Sequence, residues 1–276
     1  MTMANWENFL KNLGEWQGSF TRLSPQGEVL GQTPSILTLE GLEDNKLVKF
    51  RLRRYDNPDY QDPPTQDYGQ DYRSLGRQII FFGTGAFSKG PWQLAPFSEF
   101  GAEFGFVDGD RRMRFVQLYD KELSLASLTF IREFRRGSNA QERPTLTVEQ
   151  LLGTWHCQVY TGYPDWREPE VSEMEITLEQ TEDMVEQRVT VQGQTSVMQG
   201  KVMGDHQIHF LCPSPSKVLL LPDGTSSCTP DRLQLGQPFF GEVGWLVRPN
   251  ERQRLIRYYD NRGAWTHSAF VVEYRQ

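Results

Sequence analysis

The stretch NLGEWQGSF, residues 12–20, places a Gly-x-Trp at the head of a run that alternates like a β-strand. The same arrangement returns in LLGTWHCQVY, residues 151–160, where Trp155 stands 155 − 16 = 139 residues after Trp16. Working outward at that offset, Leu13 and Gly14 meet Leu152 and Gly153, and Thr38–Glu40 meets an identical tripeptide, Thr177–Glu179. The apolar run Ile79–Phe82 meets Val218–Leu221, and Phe100, Glu103 and Gly105 meet Phe239, Glu242 and Gly244. One inserted residue then makes the offset 252 − 112 = 140. Arg112, Arg114, Tyr119 and Asp120 fall on Arg252, Arg254, Tyr259 and Asp260, and Phe130, Glu133 and Arg135 fall on Phe270, Glu273 and Arg275. A near-constant offset along a whole unit means duplication and two similarly folded halves. The polar stretch RRGSNAQERP, residues 135–144, reads as the linker between them. The expected domains are therefore residues 1–136 and 145–276.

Within each half the periodicity is two. Val48, Phe50 and Leu52 share one face of a predicted strand, and Lys49, Arg51 and Arg53 share the other. EITLEQ, RFVQLYD, RLIRYYD and AFVVEY read the same way, with Gly, Pro, Asn and Asp between them as in an antiparallel meander. One short helix precedes each Gly-x-Trp. In the first half Trp6, Phe9, Leu10 and Leu13 form an apolar stripe, and in the second Thr147 and Gln150 make a capping-box pair. The fold class is all-β. Closing each half into a barrel removes exposed edges, and a barrel of about eight strands leaves room for one small ligand.

The residues that frame each half resemble the lipocalin-like calycin superfamily: a short helix, a Gly-x-Trp on the first strand and an Arg on the last. The resemblance implies that Arg135 packs across Trp16, and Arg275 across Trp155, to close each barrel floor. Cation–π attraction would hold the pairs, and Gly14 and Gly153 would let the backbone turn beside the indoles. Two such units in one chain resemble the tandem-barrel proteins of photosynthetic organisms grouped as the domain-of-unknown-function 3598 family. The expected architecture is two tandem lipocalin-like antiparallel β-barrels, each preceded by a short helix.

Composition excludes several classes. A net charge of −7 disfavours sequence-independent nucleic-acid binding. No apolar run has the length of a membrane span. The N-terminal residues lack the pattern of a secretory signal, and three cysteines, Cys157, Cys212 and Cys228, suit reduced thiols. These features suggest a cytoplasmic protein.

Candidate chemistry centres on the repeated Arg-x-Arg. Arg112 with Arg114, and Arg252 with Arg254, each share a strand face, and turned inward they could hold a carboxylate. Turned outward they are surface charges. Tyr119 and Tyr259, followed by turn-forming Asp120 and Asp260, and the matched Glu103 and Glu242 complete the candidate ligand-binding set. Phe50, Phe81, Phe82, Phe104, Phe106, Trp245 and Phe270 are candidate cavity walls. His206 and His209 lie three apart on a predicted strand and so face opposite ways, which argues against a metal shared with Cys212. The segment from Tyr55 to Arg73 mixes Asp with Tyr and Pro. It reads as an acidic lid or a partner-binding loop, with Asp56, Asp59 and Asp62 a weaker calcium candidate. No catalytic triad or phosphate loop is visible, and no cofactor or metal is expected. The leading expectation is a carrier for a hydrophobic, anionic small molecule such as a fatty acid or tetrapyrrole. One alternative is a bilin lyase, chaperone or isomerase acting on such a ligand. Another is a pair of filled barrels that work through their surfaces.

Overall fold

The computed structural model describes residues 3–210 and 216–275, and over them the alternating segments become nineteen strands and two short helices. Contacts divide the chain into two units. The first holds α1 (Met3–Leu10), β1 (Gly14–Leu23), β2 (Val29–Leu42), β3 (Leu47–Arg54), β4 (Gln66–Tyr72), β5 (Ile79–Phe81), β6 (Phe87–Lys89), β7 (Phe100–Asp108), β8 (Arg111–Tyr119) and β9 (Leu125–Arg135). Its strands form one curled antiparallel sheet in the order β4-β3-β2-β1-β9-β8-β7-β6-β5. The helix seats Phe9 against Leu39, Val48, Phe81 and Phe87 at one end of that sheet.

The second unit holds α2 (Val148–Leu151), β10 (Gly153–Gly162), β11 (Glu170–Thr181), β12 (Met184–Val191), β13 (Gln194–Met203), β14 (Gln207–Phe210), β15 (Ser216–Leu221), β16 (Thr225–Thr229), β17 (Phe239–Arg248), β18 (Glu251–Tyr259) and β19 (Trp265–Arg275). These ten strands pair in sequence order and close on themselves, β19 returning to β10. Thr147 N–H donates to Gln150 Oε1 at 2.9 Å, one half of the expected capping box. The interior is a single packed cluster that runs from Leu151 and Trp155 through Ile176, Val185, Ile208, Leu220 and Ile256 to Val271.

The contact-defined units interleave in sequence. Trp92–Phe100 and Tyr119–Leu125, from the first sequence half, count with the second unit. There Trp92 meets Trp265 edge-on at 5.5 Å, and Phe100 meets Phe239 at 5.4 Å and Tyr259 at 5.1 Å.

The expected loop from Tyr55 to Arg73 ends in a strand, β4. Tyr68, Gln70 and Tyr72 alternate with Asp67, Gly69 and Asp71, and β4 pairs with β3 through Leu52↔Tyr68 and Val48↔Tyr72. Phe50 lies 6.0 Å from both tyrosine rings. This is a period-two alternation that sets both tyrosine rings on the face of Phe50, which a count of acidic residues hides. The remaining loop is tied down: Tyr60 Oη donates to the Gly18 carbonyl at 3.0 Å, and its ring meets Tyr55 at 5.1 Å. No described helix is long and apolar enough to cross a membrane.

Candidate functional site

Pairing register builds both floors. Trp16 lies directly across from Arg135 and Trp155 across from Arg275, so each guanidinium falls on the indole face. The Arg135 Cζ is 4.4 Å from the Trp16 ring centre and the Arg275 Cζ 4.8 Å from that of Trp155. The surrounding hydrogen bonds repeat as well. Trp16 Nε1 donates to the Asn12 carbonyl and Trp155 Nε1 to that of Leu151, both at 2.9 Å. Arg135 Nη1 donates to the Leu13 carbonyl at 3.2 Å and Arg275 Nη1 to that of Leu152 at 2.9 Å. Gly14 has φ of +137°, and a Cβ there would sit 2.3 Å from Arg135 Nη1. Gly153, at φ +102°, leaves 3.4 Å to Arg275 Cδ.

Two residues further along each strand lies a charged layer on the same face. In the first unit Arg114 forks onto Glu133, Nε to Oε2 at 3.1 Å and Nη2 to Oε1 at 2.8 Å. Its Nη1 reaches Glu103 at 2.9 Å. Arg112 Nη1 donates to Glu133 at 2.7 Å and its Nε to Asn12 Oδ1 at 3.0 Å. In the second unit Arg254 joins Glu273 at 2.5 Å and Glu242 at 3.1 Å. Arg252 lies 3.6 Å from Glu273 and donates to Ser226 Oγ at 2.9 Å. Each layer holds two arginines and two glutamates, so its formal charge cancels.

Burial sets the electrostatics. By itself it would raise the Glu133 carboxyl, but Arg114 and Arg112 outweigh it and hold the group below its ordinary 4.5. Burial draws Arg112 down to about 10, so it stays charged at neutral pH. Arg114 and Arg254 move up, because the attraction of their glutamates exceeds the burial cost. Cys157 and Cys228 are free and buried, and burial pushes each thiol up to about 12, which keeps both protonated and unreactive.

The inward face is therefore the one that carries Arg112, Arg114, Arg252, Arg254, Glu103 and Glu242, and the structure brings these together. It does not bring Tyr119 and Tyr259 to them. Both alternate onto the opposite face, where Tyr119 Oη donates to the Pro230 carbonyl at 2.7 Å and Tyr259 Oη accepts from Arg257 Nε at 2.7 Å. Asp120 and Asp260 serve their turns, accepting from Ser124 N–H and Ala264 N–H, each at 2.9 Å. Four expected cavity walls are also corrected. Phe104 and Phe106 alternate away from Glu103, as Trp245 does from Glu242 and Phe270 from Glu273, so none of them lines the face of the charged layer.

His209 Nε2 meets Gln207 Oε1 at 2.9 Å, and among the described residues no group of His, Cys, Asp or Glu is placed to hold a metal. Cys212 lies outside the described residues. Sequence reasoning left Glu133 and Glu273 without a role. Their signal was present: each repeats two residues before the floor arginine, and so shares its face. Asn12 and Ser226 were missed because they do not match between halves.

Two clefts open on outward faces. One, of about 640 Å³, is lined by Glu15, Thr38, Lys49, Arg51, Arg53 and Asp71. The other, of about 450 Å³, is lined by His156, Gln158, Glu173, Glu175, Thr190 and Tyr274. Phe50 joins the lining of the first, and Cys157 and Met174 join that of the second.

Residues 2–138 match the N-terminal domain described as domain of unknown function DUF3598. Residues 142–276 match the C-terminal domain described as biogenesis factor required for ATP synthase 1. The chain is 39% identical to a DUF3598-family protein of unknown function from Nostoc punctiforme, covering 100% of both chains with a TM-score of 0.91. It is 11% identical to the S-type phycobiliprotein lyase CPES from Guillardia theta, over 46% of this chain and 89% of that one, with a TM-score of 0.36. Comparison with curated proteins finds no match.

Proposed function

This chain belongs to the DUF3598 family, and on that premise we propose that it is a protein-binding scaffold that assists assembly of a larger complex. The observation that carries this reading is the mutual saturation of the inward charges. A ligand carboxylate would have to displace Glu133 or Glu273, buried to 0% and 1% exposure, from the arginines that neutralise them. Removing one partner of such a buried pair costs about 3–5 kcal/mol, so the layers resist opening. The match of residues 142–276 to a domain named for ATP synthase biogenesis suggests the class of complex.

The test is deletion of the gene in its source organism. Assembled ATP synthase, measured on native gels, should fall while synthesis of its subunits continues, and the purified chain should bind at least one soluble subunit saturably in calorimetry. Normal complex levels together with no subunit binding would refute the scaffold. Saturable quenching of tryptophan fluorescence by fatty acids, retinoids or tetrapyrroles would instead favour an enclosed cargo.

A further inference from the structure

The two units differ by one strand. In the second, β12 pairs with β13, and β13 pairs in turn with β14. In the first, β3 pairs with β4 as β12 does with β13, but the sheet then ends. The position that β14 fills in one copy of this fold has no strand beside β4 in the other.

We propose that the outer edge of β4 receives an extended segment of a protein partner as an added strand, with apolar residues alternating with basic ones. The proposal deepens the scaffold reading and rests on it. Strand addition to an exposed edge draws affinity from backbone hydrogen bonds and specificity from alternate side chains. β14 shows what the position accepts: Ile208 and Phe210 are buried inward, while Gln207 and His209 face out. On β4 the inward partners would be Tyr68 and Tyr72. Tyr68 lies on the same face as Phe50 yet is 56% exposed, so an incoming apolar side chain would cover it.

The outward alternation carries Asp67 and Asp71, and the preceding loop adds Asp56, Asp59 and Asp62. Arg51 forks onto Asp67, with Nη2 at 2.5 Å, Lys49 lies across from Asp71, and Arg73 is held by Glu43 at 2.7 Å; within residues 55–73 itself five aspartates stand against one arginine. Basic residues in the added strand complement that charge. A second copy of β4 would set aspartates against aspartates, the usual device by which an edge discourages self-pairing.

The probe is an acetylated, amidated octapeptide of alternating Val and Lys, added to the full chain. It should bind saturably and slow hydrogen exchange in β4 by about tenfold. A Val/Glu octapeptide should bind about fivefold or more weakly, and Asp71→Lys should reverse that preference. An N-methylated Val/Lys peptide, unable to pair with the edge, should not bind. Equal binding of the N-methylated peptide, unchanged exchange in β4, or protection that grows with protein concentration alone would overturn the proposal. An ATP synthase subunit that binds without protecting β4 would sink this inference and leave the scaffold reading intact.

Discussion

Glu133 has no access to water and serves two arginines at once. Glu133→Ala strands two buried guanidinium groups, and the expected loss is about 3–5 kcal/mol, read from urea unfolding. Acid acts on the same group. A carboxyl held below its ordinary 4.5 in the folded state contributes stability that is complete above that value and lost as pH falls through the folded one. Wild-type stability should therefore decline steeply below pH 4.5, and Glu133→Gln should flatten that decline. A variant with the wild-type acid profile would show that this carboxylate is not the group being titrated. The sequence revealed the repeated arginines but not their direction. Arg112, Met113, Arg114 and Phe115 are all buried, so β8 lacks the wet face that tells inside from outside.

At the scale of elements, duplication was legible because the floor depends on few atoms. A glycine, an indole and a guanidinium on the neighbouring strand recur with the same carbonyl partners. What differs between copies is compensated. Asn12 serves Arg112 where the equivalent Leu151 cannot, and Ser226 serves Arg252 where the equivalent Phe87 packs in the core. Asn12→Leu leaves a guanidinium nitrogen and the Gly85 carbonyl without their partner and should cost about 1–3 kcal/mol. Phe87→Ser opens a cavity and should cost about 3–5 kcal/mol. The double variant copies the second unit and should cost less than the sum by about 1 kcal/mol in a denaturation cycle. Strict additivity would mean that the exchange is accidental. β4 escaped the sequence reading because Asp, Gln and Gly are poor strand formers, and the packing of its tyrosines on Phe50 overrides that preference.

At the scale of the whole molecule, the repeat was readable because the matched residues recur at a near-constant offset. The interleaving of the contact-defined units was not, since Trp92–Phe100 and Tyr119–Leu125 look like ordinary connections between strands. They bring Phe100 onto Phe239 and Tyr259, and they supply backbone bonds: Leu94 N–H to the Gly263 carbonyl at 2.8 Å, and Leu125 N–H to that of Asp231 at 2.9 Å. A fragment of residues 142–276 lacks both segments. It should be less stable than the same unit in the full chain by about 1.5–3 kcal/mol, from the burial of Phe100, since Trp92 keeps 41% of its surface exposed. Equal urea midpoints, followed by a signal from Trp265, would contradict this.

The same interleaving constrains how the molecule can be made. Trp92 leaves the ribosome well before Trp265, 265 − 92 = 173 residues later. At about 5–20 residues per second that is a delay of roughly nine to thirty-five seconds. Through that interval the early aromatic segments wait, greasy and without their final neighbours, and nascent-chain chaperones have their longest opportunity to act there.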